Sequence, residues 1–455
     1  MITVSNMTPL KSNLGKARLY TPTPNSVMFD GHDLNSSVNT AYHNTPYSRS
    51  TSPLATLTNI PFSYQNKASK AATWHNVTSK PETAKNTKTA KNTEVSKNNK
   101  AAKDAKVFKD AKGVTASLSS NAATTDSTNG EGLLTDGFSR RLTYLRLSIT
   151  DFCNFRCGYC LPNGYQGKRP DNELTLPEIK VLINAFAQVG TKKVRLTGGE
   201  PSIRKDVTDI IRLIKATPGI ETVAMTSNGY KLGKHIANWQ QAGLDQLNIS
   251  VDSFDPTTFK QMTGFDILPQ LLEDMDTLLQ TTDIKLKLNG ILMENTAYDS
   301  LLSALEYVKT RPVTYRFIEF MQTSDNSDLF FAQHAQSTLI TEYLLNNGWQ
   351  PHERSQNDGP AIEYSHPDYV GRIGMIAPYA AHFCDSCNRL RVSSLGKVHL
   401  CLFDQGNYDI REYLQQQDVA GLIKVLHQFM PIKPEHHHLA ESNSGIMNNL
   451  SMIGG

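Results

Sequence analysis

The feature that most constrains the fold is a regular alternation of strand-like and helix-like runs between about residue 142 and residue 319. The strand-like runs are short and apolar, and the helix-like runs repeat apolar residues every three to four positions. The predicted strands are Leu142–Ile149, Lys193–Leu196, Thr222–Met225, Gln246–Val251, Ile284–Leu292 and Thr314–Glu319, and the predicted helices are Pro177–Val189, Asp206–Lys215, 231–242, 267–280 and 298–309. Such units predict parallel strands with right-handed crossovers. We therefore expect an α/β fold, a partial (β/α)6 TIM-type barrel with its active site at the carboxyl ends of the strands.

Two regions flank the predicted barrel, which we assign to residues 139–322. Residues 1–138 are rich in Ser, Thr, Asn, Lys and Ala, with twelve lysines against four acidic residues between Lys67 and Lys112. This composition buries too little apolar surface to fold, so we predict a disordered extension. An organelle transit peptide is the alternative.

Residues 323–455 show a looser pattern, which predicts a smaller C-terminal α+β domain packed on the barrel. Its predicted helices are Thr338–Asn347 and Ile410–Met430, and its predicted strands are Arg372–Ile376, Arg389–Ser393 and Lys397–Cys401.

The sequence contains no apolar run of the about 18 residues that a membrane span needs. Met1–Tyr20 also lacks the apolar stretch of a secretory signal. We therefore expect a cytoplasmic protein without a membrane partner. The lysine-rich run is typical of a solvated segment, so no nucleic-acid partner is expected either.

The six cysteines form two compact triplets. The first is Cys153, Cys157 and Cys160, and the second is Cys384, Cys387 and Cys401. A secreted disulfide protein of this size would scatter its cysteines along the chain. The grouping therefore predicts ligands of metals or clusters in a reducing compartment.

The first triplet directly follows the first predicted strand, with the spacing C-x3-C-x2-C. Three thiolates suit iron–sulfur clusters and zinc. A [4Fe–4S] cluster with three protein ligands keeps one iron open for a small molecule. This spacing is typical of radical S-adenosylmethionine (SAM) enzymes, in which the open iron chelates SAM. A zinc site would need a fourth ligand, and no histidine lies within ten residues.

Polar residues follow the later predicted strands. The second strand ends in Thr197-Gly198-Gly199-Glu200-Pro201, where glycine allows a close backbone approach and the carboxylate could accept from the SAM ammonium. Thr226-Ser227-Asn228-Gly229 and Ser250-Val251-Asp252 end the third and fourth strands. Together these segments predict the lining of a site at one end of the barrel.

The second triplet leaves more than one interpretation open. His382 and His399 could complete a zinc site, whereas an open cluster could bind a substrate directly. Arg389 and Arg391 point to one side of a predicted strand and would suit a polyphosphate. The run His436-His437-His438 is predicted to be a solvated loop.

From about Arg141 to Gly455 the chain resembles the GTP 3′,8-cyclase family, radical SAM enzymes that begin molybdenum cofactor biosynthesis. The matching segments are Leu145–Asp151, both cysteine triplets, Lys193–Pro201, Arg316–Met321 and the terminal Ser451-Met452-Ile453-Gly454-Gly455. The terminal Gly-Gly implies a flexible tail that inserts into the active site; a frayed terminus is the alternative.

The resemblance also implies roles for individual residues. It implies cluster ligation by Cys153, Cys157, Cys160, Cys384, Cys387 and Cys401, and SAM contacts by Tyr159, Gly199, Ser250 and Met321. It implies GTP contacts by Arg146, Arg195, Thr226, Lys287, Arg389 and Arg391, of which Arg195, Arg389 and Arg391 are the expected catalytic residues, and it adds Lys193 and Arg316 as candidates for the phosphates.

The implied cofactors are two [4Fe–4S] clusters and SAM, and the implied substrate is GTP. The implied partners are an electron donor such as flavodoxin or ferredoxin and a downstream pyranopterin monophosphate synthase, and a homodimer is compatible with the resemblance. Two alternatives stay open at this point: a radical SAM enzyme acting on another substrate, and a zinc-stabilised binding protein.

Overall fold

The computed structural model describes residues 132–166, 168–354, 358–403 and 408–445. All of them belong to one compact unit, Ser117–Gly455. Most of the predicted extension and the whole Gly-Gly tail lie outside the described residues, so both stay predictions, as do the domain boundaries at residues 138 and 322. Within the described residues, no helix is both long and apolar enough to cross a membrane.

Six parallel strands in chain order form the centre of the sheet. They are β1 Tyr144–Thr150, β2 Lys193–Gly198, β3 Thr222–Ser227, β4 Gln246–Ser250, β5 Lys285–Leu292 and β6 Thr314–Glu319. The helices among them are α1 Leu176–Gln188, α2 Val207–Lys215, α3 Ile236–Ala242, α4 Pro256–Thr263, α5 Leu268–Thr281 and α6 Ala297–Thr310. Each strand pairs in parallel with the next. The predicted partial (β/α)6 barrel is confirmed.

The C-terminal segment extends both edges of this sheet. Its strands are β7 Gln350–Pro351, β8 Ile362–Ser365, β9 Arg372–Ile376, β10 Arg389–Val392, β11 Lys397–His399 and β12 Tyr408–Asp409, and its helices are α7 Ser327–Gln333, α8 Thr338–Asn346, α9 Arg411–Gln415 and α10 Val419–Phe429. The sheet order is β12-β11-β10-β1-β2-β3-β4-β5-β6-β9-β8-β7. Both β9 and β10 run parallel to their neighbours β6 and β1. The C-terminal segment therefore builds part of the sheet and does not only pack on it.

The predicted helix Ile410–Met430 is wrong in one respect, because two helices occupy this range. Gln417 adopts a left-handed conformation with φ of 57°, which ends the first helix. Asp418 then caps α10 by accepting a hydrogen bond from the Gly421 amide at 2.8 Å. This break turns the chain, so α10 packs against α1.

Apolar side chains of the strands and the inner helix faces form one continuous core. The helix α1 shows how these elements are built: Pro177 lies in its first turn, and the Glu178 carboxylate accepts from the Thr175 amide at 2.8 Å. Since β1 to β6 are parallel, their carboxyl ends meet at one edge. The first cysteine triplet and the Gly-Gly-Glu segment emerge there.

Candidate active site

Three arginines lie side by side on adjacent strands. Arg146 of β1 pairs in register with Arg391 of β10 and with Arg195 of β2. Neighbouring strands are only about 4.8 Å apart, and like charges directly opposite each other are destabilising. Arg195 and Arg391 are 5% and 6% exposed. Burial, followed by the charge of Arg391, holds the pKa of Arg146 well below its usual value. The arrangement is therefore suited to an anion that compensates these charges.

The arginine row forms one wall of a cavity of about 370 Å³, and further basic groups complete the lining. Lys193, Lys287, Arg316 and Arg389 all line it. Burial, followed by the charge of Arg195, lowers the pKa of Arg316 to about 10. The Nε and Nη2 atoms of Arg316 are buried and have no hydrogen-bond partner among the described residues. Guanidinium groups held in this way suit the oxygens of a polyphosphate.

The predicted nucleotide contact Lys287 lies on β5, lines the cavity and already has a carboxylate partner. Its ammonium donates to Glu363 of β8, and the Nη1 atom of Arg372 lies 3.5 Å from the other carboxylate oxygen of Glu363. Burial is the main cause that lowers the pKa of Lys287. A ligand phosphate must therefore share or replace Glu363 to reach Lys287.

The predicted contact Thr226 positions an arginine. Its hydroxyl accepts a hydrogen bond from Arg195 Nη1 at 3.2 Å. The Nε atom of Arg195 donates to the hydroxyl of Tyr144, a residue that the sequence analysis did not single out. The guanidinium of Arg195 is therefore held from two sides.

The Gly-Gly-Glu segment braces the loop that carries the first triplet. A Cβ atom on Gly199 would lie 2.3 Å from the Phe152 carbonyl oxygen, so only glycine allows this approach. The Gly199 amide donates to Thr150 and the Glu200 amide to Phe152, each at 2.9 Å. These bonds fix the backbone directly before Cys153.

Glu200, whose carboxylate the sequence analysis offers to the SAM ammonium, already has three donors inside the protein, and its contact with SAM stays a prediction. The Glu200 carboxylate is buried and accepts from the Ser202 amide at 2.9 Å, the Ser227 hydroxyl at 2.8 Å and the Asn228 amide at 2.6 Å. These internal donors occupy both oxygens. Glu200 therefore joins the ends of β2 and β3.

Tyr159, between the second and third cysteines of the first triplet, is held at both ends. Its hydroxyl donates to Asp252 at 2.8 Å, and its carbonyl accepts from Asn326 Nδ2 at 2.9 Å. Asn326 also donates to the Met321 carbonyl at 3.2 Å, so it joins two of the predicted SAM contacts. Ser250 lies at the end of β4, beside Asn289 of β5.

The surroundings of the two cysteine triplets differ in charge. In the first, burial and then the charge of Glu200 raise the pKa of Cys153 to about 12. In the second, burial raises the pKa of Cys387, but the charges of Arg389, Lys433 and Arg140 outweigh it and lower the pKa to about 6. The first triplet thus lies near carboxylates and the second among cations.

Two buried cations hold the backbone of the second triplet. Arg140 donates to the Cys384 carbonyl at 3.0 Å, and Lys433 donates to the carbonyl of Leu400, the neighbour of Cys401. Arg140 also bonds the carbonyls of Pro434 and Glu435, at 2.8 and 2.6 Å. The segment 433–435 therefore closes over this triplet.

The histidines lie differently from the sequence expectations. His382, a candidate zinc ligand, is 85% exposed at its side chain and pairs with Asp385 at 2.8 Å. His437 is not part of a solvated loop: its ring packs against Phe383 and Phe403 and lines the cavity. No pattern in a run of three histidines distinguishes the middle one, so the sequence analysis missed it.

A small apolar cluster links the two triplets. It consists of Met321, Phe403 and Leu439, and both Cys160 and Cys401 pack against it. Met321 and Phe403 also line the cavity. The first triplet, the second triplet and the basic cavity therefore meet at one apolar wall.

The donors present suit iron–sulfur clusters at both positions. All six cysteines are half-buried, and none of them forms a disulfide bond. Cys157 interacts electrostatically with Cys153 and Cys160, and Cys384 with Cys387 and Cys401, so the thiols of each triplet are close together. Three soft thiolates at each position would leave one iron of a [4Fe–4S] cluster open.

Comparisons with protein-family models divide the chain in two. A model of the radical SAM superfamily matches residues 147–293, and a model described as Molybdenum Cofactor Synthesis C matches residues 313–439. The first match covers the first triplet, and the second covers the second triplet.

Curated relatives match over almost their whole length. A GTP 3′,8-cyclase of Vibrio cholerae is 48% identical over 323 residues, which cover 70% of this chain and 97% of the relative. A GTP 3′,8-cyclase of Pectobacterium atrosepticum is 47% identical over 325 residues, or 71% and 99% of the two chains. A crystal structure of Streptococcus suis SuiB bound to S-adenosylmethionine covers 63% of this chain and 68% of its own, at 13% identity and a TM-score of 0.43.

Proposed function

Because this chain belongs to the GTP 3′,8-cyclase family of radical SAM enzymes, we propose that its basic cavity binds GTP between the two cysteine triplets. The reaction is the conversion of GTP to (8S)-3′,8-cyclo-7,8-dihydroguanosine 5′-triphosphate, the first step of molybdenum cofactor biosynthesis. The observation that carries the proposal is the row of Arg391, Arg146 and Arg195, which brings three positive charges together in a cavity lined by the second triplet.

The triphosphate is assigned to the basic walls of the cavity. Arg146, Arg195, Arg389 and Arg391 bind it from one side, and Lys287 and Arg316 bind it from the other. Thr226 orients Arg195 through its hydroxyl, at 3.2 Å. Rigid guanidinium groups suit this task because they present paired donors to phosphate oxygens.

The first triplet, Cys153, Cys157 and Cys160, is assigned to a [4Fe–4S] cluster that binds SAM at its open iron. Tyr159, Gly199, Ser250 and Met321 are the proposed SAM contacts. When bound, the cluster and SAM would supply a 5′-deoxyadenosyl radical to remove the ribose 3′ hydrogen, so that C3′ could bond to C8 of the purine once one electron and one proton had replaced that hydrogen. The protein holds the two reactants close together and excludes water through Met321 and Phe403.

The second triplet, Cys384, Cys387 and Cys401, is assigned to a second [4Fe–4S] cluster with an open iron near the purine. The cations Arg389, Lys433 and Arg140 support this assignment, because a cluster on three thiolates is an anion in a buried site. Within this arrangement Arg195, Arg389 and Arg391 are the proposed catalytic residues, since they hold the charged substrate during the reaction.

Further partners follow from the chemistry. The reaction needs single electrons, so the proposed donor is a flavodoxin or a ferredoxin. The product is to be consumed by a pyranopterin monophosphate synthase. The free thiols support a reducing compartment, for which we propose the cytoplasm. A homodimer is a further proposal, to be tested by sizing in solution.

Anaerobic turnover tests the proposal. The reconstituted protein is mixed with SAM, dithionite and GTP, and products are followed by mass spectrometry. Formation of 5′-deoxyadenosine together with a GTP isomer that converts to a pterin is expected. Deoxyadenosine without GTP consumption would contradict the choice of substrate. For the second cluster, Cys384→Ala should lose about half of the iron and sulfide; zinc at this triplet would contradict the assignment.

A further inference from the structure

Tyr144 lies between two cationic residues on the neighbouring strands of the sheet. Two residues before the arginine row, Tyr144 of β1 pairs in register with Arg389 of β10 and with Lys193 of β2. Its side chain lines the cavity, although the whole residue is only 4% exposed. Side chains two residues apart in a strand lie on the same face. The phenol ring therefore lies directly beside the groups assigned above to the triphosphate.

The contacts of Tyr144 fix two of these groups. Its hydroxyl accepts a hydrogen bond from Arg195 Nε, while Arg195 Nη1 donates to Thr226 at 3.2 Å. The Lys193 ammonium lies 5.3 Å from the centre of the Tyr144 ring and donates to Gln246 at 2.8 Å. Cations over an aromatic face are attracted to it. The hydroxyl thus holds Arg195, and both Lys193 and Arg195 lie over the ring.

Cations from several strands surround Tyr144. Six cations interact electrostatically with it: Arg146, Lys193, Arg195, Arg316, Arg389 and Arg391. Burial alone raises the pKa of Tyr144, but Arg195, Arg146 and Lys193 together outweigh burial and lower it to about 7. The phenol oxygen can therefore carry negative charge near neutral pH before an anion enters the cavity.

We propose that Tyr144 is a positioning residue of the phosphate site, which orients Arg195 and supplies the counter-charge that the triphosphate of GTP replaces. This inference rests on the proposed function. A bound triphosphate repels a phenolate, so binding must be accompanied by proton uptake at Tyr144 whenever the empty site is ionised. The sign follows directly: below pH 7 the phenol is already neutral, and above pH 7 each binding event takes up a proton, so affinity falls as pH rises.

The test is calorimetry of GTP binding to the full, reconstituted protein under anaerobic conditions without reductant. Titrations at pH 8 in two buffers of different ionisation enthalpy report the protons taken up. The wild type should take up nearly one proton more than Tyr144→Phe. GTP titrates in the same way with both proteins. Lys193, whose pKa burial lowers to about 8, also takes up protons in this range, so both proteins carry Lys193→Met and the difference reports the phenol. At pH 6.5 the variant should bind GTP on the order of tenfold more weakly, because Arg195 loses its acceptor.

The matched control is Tyr307→Phe. Tyr307 is also a buried tyrosine, its hydroxyl has no hydrogen-bond partner among the described residues, and it does not line the cavity. This variant should match the wild type in affinity and in proton uptake. Iron content and thermal unfolding of each variant establish that it is folded.

Equal proton uptake and equal affinity in wild type and Tyr144→Phe would overturn the inference. A GTP affinity of the wild type that does not fall between pH 7 and pH 8.5 would also overturn it, because it excludes a titrating counter-charge. If the wild type binds and cyclises GTP while Tyr144→Phe behaves identically, only this inference is wrong. If the wild type does not bind GTP, the proposed function is wrong as well.

Discussion

Replacement of Arg316 tests whether a buried positive charge in the cavity destabilises the nucleotide-free protein and strengthens GTP binding. Its guanidinium is buried, its Nε and Nη2 atoms have no hydrogen-bond partner among the described residues, and Arg195 is the strongest charge acting on it. Replacement of Arg316 by methionine keeps an unbranched apolar chain and removes the charge. We expect the nucleotide-free protein to become more stable and GTP binding to become weaker.

The magnitude follows from the pKa. Burial, with the charge of Arg195, lowers the pKa of Arg316 from 12.5 to about 10. At 1.36 kcal/mol for each unit, the charged form costs at most about 3 kcal/mol in the folded state. Methionine loses some contacts, so a gain of about 1–2 kcal/mol is a reasonable expectation. For the roughly 300 residues that the structure describes, each kcal/mol corresponds to a shift of about 1–2 °C in Tm.

The assay is thermal unfolding of the reconstituted protein with and without GTP. Arg316→Met should unfold at a higher temperature without GTP, but GTP should raise its Tm less than that of the wild type. Loss of a charge-assisted bond predicts GTP affinity lower by about 10- to 100-fold. Arg311→Met is the matched control, because Arg311 is paired with Asp276 at 2.8 Å and lies outside the cavity. A destabilised Arg316→Met that binds GTP normally would refute the reasoning.

Three further predictions concern the neighbours of the assigned contacts. Glu363→Gln should tighten GTP binding several-fold in a competition assay, because it frees Lys287; unchanged or weaker binding would contradict this. Lys433→Met should lower the bound iron toward the content of Cys384→Ala, because the buried ammonium is lost. The control Lys424→Met replaces an exposed lysine and should keep its iron. Full iron content in Lys433→Met would exclude a role for the buried ammonium. Asn326→Ala should weaken SAM binding about tenfold and leave GTP affinity unchanged, because it removes the hydrogen bonds to the Tyr159 and Met321 carbonyls. Equal losses of affinity for SAM and GTP would indicate general disruption of the fold. The control is Asn347→Ala, which removes an exposed hydrogen bond.

Local patterns were sufficient to predict the central sheet. The strand Thr314–Glu319 has the predicted bounds. The helix α4, Pro256–Thr263, was not predicted, although Asp255 caps it by accepting from the Thr258 amide at 2.7 Å and Pro256 occupies its first turn. This signal was present in the sequence and was overlooked. The break at Gln417 was harder to predict, because that residue has no special preference for a left-handed turn.

Pairing between distant segments could not be predicted from local patterns. The spacing of Arg389 and Arg391 predicts only that they share one side of a strand. That this strand is β10, and that it joins β1 so that Arg391 meets Arg146, depends on tertiary contacts across about 240 residues. Tyr144 was missed for the same reason, since a tyrosine in an apolar strand carries no local sign of the cations around it.

The contrast between the two cysteine triplets explains why the basic groups are placed where they are. Carboxylates lie near the first triplet, where Glu200 joins strand ends and Asp252 holds Tyr159. Cations surround the second triplet. A cluster among cations is easier to reduce than one near carboxylates, because added negative charge is compensated. One of these cations, Arg389, also lies beside the arginine row. A second cluster and a triphosphate would therefore both be stabilised by the same positive charges. Loss of either anion should therefore weaken retention of the other, and GTP should slow the loss of iron from the second triplet.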